Sequence, residues 1–189
     1  MERKDILARV RELAYHYESS YRGCAQSSLA ALQDVFDMRD DGAFRSASGL
    51  AGGVGLSNLG SCGALSGGSM AIGMLFGRER ERFDDPERRR KVAYRLCKRL
   101  VDRFVEEYGS VVCADIQKVH LGREYDLWDG EEYTEFDRVA YQGEKCPDLV
   151  ARPRCGRPRS SWMSCRMGPE LDCRKRRYYC GPMPLFRLP

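Results

Sequence analysis

Residues 60–77 carry glycine at 60, 63, 67, 68, 73 and 77, with alanine at 64. Read as a helix, the Gly63/Gly67 and Ala64/Gly68 pairs fall four residues apart and leave one face almost bare backbone. Such a face fits only a tight crossing with a second helix, so the surrounding chain has to supply helices. In a membrane this spacing would suggest a dimer. The longest apolar run, Ser69 to Phe76, falls well short of the roughly 20 residues that span a bilayer.

The helices are there. Ile6, Val10, Leu13, Ala14 and Tyr17 predict an amphipathic helix over 4–18. Ser19 or Ser20 is read as the cap of the next, which carries Cys24, Ala25, Leu29, Leu32 and Phe36. Asp40 or Asp41 precedes a short helix ending at Gly49; the loop Gly52-Gly53-Val54-Gly55 follows, and Asn58 to Ser61 lead into the glycine-rich helix. The clearest helix spans 86–108, capped by Asp84 or Asp85, with Pro86 in its first turn, Gly109 as its stop, and Val92, Leu96, Leu100, Phe104 and Tyr108 as its stripe. Ser110 caps a helix with Cys113 in its first turn, 119–143 reads as a polar connection, and Cys146-Pro147 starts one more helix. No segment alternates like a strand. The expected fold is all-α, a compact bundle of about six helices with the glycine-rich helix at its centre.

Charge divides the chain. Residues 1–151 hold 22 Lys and Arg against 26 Asp and Glu, whereas 152–189 hold 10 against 2, with six of the eight prolines and four of the nine cysteines. The first part is one helical domain. The second is a basic Arg/Pro/Cys-rich tail for which three readings stand: a disordered arm, a metal- or nucleic-acid-binding tail, or translation from a shifted reading frame. The third is favoured because the break at Arg152-Pro153 falls inside a helix. A net +8 would give salt-sensitive, sequence-blind affinity for nucleic acid, but no base-reading element accompanies it, so no specific nucleic-acid partner is expected. Residues 1–5 are polar and no apolar leader follows, so a cytoplasmic protein without a membrane partner is expected, its thiols reduced.

Within the domain, Cys24, Cys62, Cys113 and Cys146 each fall at or near a predicted helix start, where partial positive charge and unpaired N–H groups favour a thiolate. They are 38, 51 and 33 residues apart and no CxxC occurs, which argues against zinc ribbons, thioredoxin-type centres and local ferredoxin-type clusters. If they act together, the fold must gather four helix starts around one point. Cys97 lies beside the apolar stripe of its helix and reads as a small hydrophobe. His16 reads as a surface residue, and His120 could contribute to a site. Two separated histidines support no hydrolase triad. Gly52-Gly53-Val54-Gly55 lacks the Lys-Ser/Thr and the preceding strand of a phosphate-binding loop.

The run Cys62-Gly63-Ala64-x-x-Gly67 resembles the signature of the small family named for its C–GCAxxG–C–C pattern. The resemblance takes in Tyr21-Arg22-Gly23-Cys24-Ala25-Gln26, the 47–55 glycine block, the 86–109 helix, Cys113, and Cys146 before Pro147, covering about residues 4–151. It implies a helical, redox-active protein whose four cysteines are Cys24, Cys62, Cys113 and Cys146. The chain departs from it in a long 119–143 connection and in the tail that replaces a further helix. Two chemistries fit those residues. Four thiolates could ligate a metal centre, an iron–sulfur cluster or less readily zinc. Alternatively, a low-pKa Cys62 attacks a disulfide and a neighbour, Cys24, resolves it, making a dithiol electron carrier with a redox partner. From a different class, the glycine face could serve a non-redox interaction module that forms a homodimer. Nothing defines a substrate pocket, so no enzyme activity is assigned. The shifted-frame reading predicts that the neighbouring frame of the gene, read from codon 152, encodes an amphipathic helix; sequencing that shows a frame full of stop codons overturns it.

Overall fold

Ile6, Val10 and Ala14 recur every four residues and all are buried, which makes one side of α1 (Arg3–Tyr21) a core face. The computed structural model describes residues 2–151; the tail assignments, with Cys155, Cys165, Cys173 and Cys180, lie outside them. The helices are α2 (Cys24–Val35), α3 (Asp41–Ser46), α4 (Gly63–Phe76), α5 (Arg89–Tyr108), α6 (Cys113–Leu121), α7 (Gly130–Asp137) and α8 (Lys145–Ala151), with 3₁₀ turns after α3 and α4 and a π turn at Arg138–Gln142. The all-α expectation holds: among the described residues, the extended structure is one isolated bridge, Ser61 to Val112. None of these helices is long and apolar enough to cross a membrane.

Among the described residues eight α-helices stand where a bundle of about six was expected. The one with no counterpart among the segments read as helical is α7, inside the stretch read as a connection. Asp129 accepts N–H bonds from Glu131 and Glu132 to start it, and Phe136 is its buried anchor; eight residues are too few for a periodicity to show. Helix starts differ too. Ser19 and Ser20 belong to α1, and α2 begins after Gly23, whose φ of 84° no capping serine would favour. Pro86 lies before α5 rather than in it, although Asp85 still accepts the N–H groups of Arg89 and Arg90. Ser110 sits two residues ahead of the α6 cap, holding Val112 N and Asp115.

The glycine face of α4 is filled from within the chain. A Cβ at Gly67 would collide with the Ala25 carbonyl oxygen and stand 2.9 Å from Ser28 Cβ, so α2 crosses there backbone to backbone. This removes that face as a dimer surface. It also gives the central place to α2, with Ala25 and Leu29 wholly buried, which packs against α1, α4 and α8. Helix α5 covers the other side of α4, Leu100 reaching Gly68. Gly67→Ala is expected to destabilise the chain by about 1–3 kcal/mol through overpacking. At Gly73 an added Cβ would meet nothing within 4 Å, so Gly73→Ala is expected to gain about 0.5–1 kcal/mol. Urea unfolding of both variants, read as shifts of opposite sign in the midpoint, checks this.

Candidate functional site

The four cysteines, separated by 38, 51 and 33 residues in the chain, line one cavity of about 210 Å³. Cys24 is the first residue of α2, Cys62 the cap of α4, Cys113 the first residue of α6 and Cys146 the second of α8. The crossing of α2 and α4 sets the closest approach. A Cβ at Gly63 would overlap Cys24 Sγ, so the bare backbone beside Cys62 is the seat of the Cys24 sulfur. The N–H groups of Gly52 and Gly63 point at Cys24 Sγ, and that of Ala64 at Cys62 Sγ.

Cys113 is tied to the same place through the backbone. Cys62 N donates to Val111 O (2.8 Å), Cys113 N to Gly60 O (3.0 Å) and Ala114 N to Asn58 O (3.1 Å). Buried amides extend the clasp: Gln117 Nε2 donates to Asn58 Oδ1 (2.7 Å), Asn58 Nδ2 to Tyr125 O (2.6 Å), and Tyr125 N to Gln117 Oε1 (3.0 Å). Through Asn58 these bonds anchor the end of segment 52–58, in which Val54, Leu56 and Asn58 take positive φ alongside Gly52, Gly53 and Gly55. Gly53 lies against Cys113, where a Cβ would stand 2.8 Å from Cys113 Cβ. The segment forms one wall of the cavity through Gly52 and Leu56.

Burial decides the electrostatics. It pushes the Cys24 thiol up to about 12, with the Glu18 charge adding to it. It pushes Cys62 and Cys146 well above the usual thiol range and Cys113 up as well, and the neighbouring sulfurs press in the same direction on Cys62 and Cys146. The expected low-pKa Cys62 is therefore corrected: the helix start is present, but desolvation outweighs it. Burial thus favours the protonated thiol at all four sulfurs. Among the described residues no group of three or more His, Cys, Asp or Glu side chains stands close enough together to hold a metal ion. The iron–sulfur or zinc centre expected of Cys24, Cys62, Cys113 and Cys146 has no preformed ligand set among them.

Cys97 is apart from the cavity, its sulfur toward the Ser69 carbonyl at 4.0 Å. His16 is exposed beside Tyr17 and Tyr21. His120 does line the cavity, edge-on to Tyr108 at 5.0 Å between ring centres. Sequence reasoning missed Glu18, Tyr141 and Gln117, all in the lining. Glu18 had a signal: it continues the series Ile6, Val10, Ala14 at the same spacing, an acid at a core position. Tyr141 had none, since it sits in the π turn.

No curated protein and no solved structure matches the chain. Residues 22–153 match the model of a family described as "Putative redox-active protein (C_GCAxxG_C_C)", a span that takes in α2 to α8 and all four cavity cysteines. With that span well over half of its 189 residues, the chain belongs to the C_GCAxxG_C_C family.

Proposed function

We propose that the cavity is a thiol–disulfide exchange site in which Cys24 and Cys62 cycle between dithiol and disulfide. The observation that carries this reading is the convergence of four sequence-distant thiols on one cavity. Cys24 is the better nucleophile of the two. It is half-buried where Cys62 is buried, and two N–H groups face its sulfur against one for Cys62. Its thiolate attacks one sulfur of a partner's disulfide, that S–S bond breaks, and a mixed disulfide forms. The Cys62 thiolate then attacks Cys24 sulfur and expels the second partner sulfur. In sum two cysteine thiols are oxidised to Cys24–Cys62, one disulfide is reduced to two thiols, and the two protons pass from cysteines to products. Cys113 and Cys146 supply a second dithiol to the same cavity. A reducing compartment such as the cytoplasm keeps the site as thiols.

Equilibration of the full chain in dithiothreitol redox buffers, with acid quenching and peptide mapping, is expected to give a reversible two-electron couple with a Cys24–Cys62 link. Cys24→Ser and Cys62→Ser should each abolish it without changing the assembly state. Anaerobically purified protein that carries stoichiometric iron and acid-labile sulfide would overturn the reading in favour of a cluster. A chain that forms no internal disulfide, and whose serine variants change assembly, would turn it toward an interaction module.

The protonated thiols also give a pH signature. With Cys24 raised from 9.0 to about 12, the folded chain keeps a proton that the unfolded chain releases. That stability is complete below the unfolded thiol value and is lost as pH rises toward the folded one. Between pH 8 and pH 10 the unfolding free energy should fall, and Cys24→Ser should remove about 1–2 kcal/mol of that fall, as measured by urea titration at both pH values.

A further inference from the structure

Among the described residues, Glu18 is the one acid in the cavity wall, and it has no part in the Cys24–Cys62 exchange as written. It is 0% exposed, near the C-terminal end of α1. Its Oε1 accepts from the Tyr141 hydroxyl at 3.2 Å. Its Oε2 is buried and has no hydrogen-bond partner among the described residues. The neighbouring Ser27 hydroxyl, which lies close enough to the Glu18 carboxyl to favour its charged form, donates to the Arg22 carbonyl (3.1 Å). A buried carboxylate oxygen left open costs free energy, and Glu18 lines the same cavity as the four thiols.

The groups that face it come from every element packed around it. Arg22, following its own helix, lies over the Tyr141 ring at 3.9 Å and pairs with Asp137 at 3.1 Å, so its charge is largely taken up. Tyr141 comes from the π turn, Cys24 from α2 and Cys146 from α8, and on both cysteines the Glu18 charge has the largest effect of any neighbouring charge. The thiol that has to lose a proton and a carboxyl able to take it thus share a cavity.

We infer that Glu18 is the proton acceptor of the exchange site, a catalytic residue that takes the Cys24 proton on Oε2 and hands it to the departing sulfur of the partner disulfide. This rests on the thiol–disulfide reading above. In the balanced step, Cys24 S–H breaks and Glu18 O–H forms, while Cys24 sulfur bonds to one sulfur of a partner disulfide and the other leaves as thiolate. That thiolate recovers the proton from Glu18, which returns to carboxylate. Burial pushes the Glu18 carboxyl up, which strengthens it as a base toward thiols that are themselves raised.

The test is the oxidation of the reduced full chain by oxidised glutathione, with the Cys24–Cys62 link quantified by acid quenching and peptide mapping at several pH values. Glu18→Gln is expected to slow formation of the link about a hundredfold at neutral pH. Its rate should then track thiol ionisation alone, while the final dithiol–disulfide equilibrium is retained. Should Glu18→Gln not fold, the wild-type profile carries the test: a rate that falls on acidification along a carboxyl titration supports the assignment, and one that follows a single thiol ionisation overturns it. A wild-type link with unchanged Glu18→Gln kinetics overturns the Glu18 role alone. No Cys24–Cys62 link in the wild-type chain overturns the exchange reading and this role with it.

Discussion

The crossing of α2 over α4 is the contact on which the rest of the molecule depends. Gly63 and Gly67 let the α2 backbone at Ala25 and Leu29 come down onto α4, with the Cys24 sulfur seated over Gly63. That contact places Cys24 beside Cys62, seats α2 among α1, α4 and α8, and so brings in Glu18 from one side and Cys146 from the other. The apolar clusters meet at the same point: Cys62 belongs to the one around Phe104 and Tyr108, Cys24 packs on that of Ala14 and Ala31, and Cys146 on that of Tyr125 and Phe136. The cysteines are where separate pieces of core join.

Two opposed effects act on those sulfurs, and their sizes decide the outcome. A charge at a helix N-terminus gains about 0.3–1 kcal/mol at the surface and up to about 2 kcal/mol when partly buried. A rise of the Cys24 thiol from 9.0 to about 12 corresponds to about 4 kcal/mol against the thiolate. Desolvation therefore prevails, and helix starts with their N–H donors moderate the cost of a transient thiolate without making it the resting state. A site built this way is quiet until something removes a proton.

The fold class, the glycine crossing and the four cysteines were legible in the sequence because each leaves a periodic or spaced signal. The stripe Ile6, Val10, Ala14 and the stop at Gly109 are local patterns, and local patterns survive into the structure. What was not legible depends on long-range contacts. Helix α7 is short and held by Phe136 against Tyr125 and Tyr141; the Asn58–Gln117–Tyr125 clasp joins residues up to 67 apart. The thiol pKa values followed the same rule: helix position is visible in sequence, and burial is not. Glu18 lies between these cases, its position readable from the stripe and its purpose only from the cavity.

Segment 52–58 has a shape that its own residues resist. Val54 and Leu56, isolated, would prefer extended or right-handed backbone, and holding such residues left-handed costs on the order of 1–3 kcal/mol each. That shape is held by bonds within the loop, Leu56 N to Ala51 O, Asn58 N to Gly52 O and Gly60 N to Gly53 O, and is anchored at Asn58 to Ala114, Gln117 and Tyr125. The wall of the cavity and the start of α6 therefore form one cooperative unit: loosening either releases the other. Substitutions at Asn58 and Gln117, bonded to each other at 2.7 Å, act on a shared free energy rather than adding.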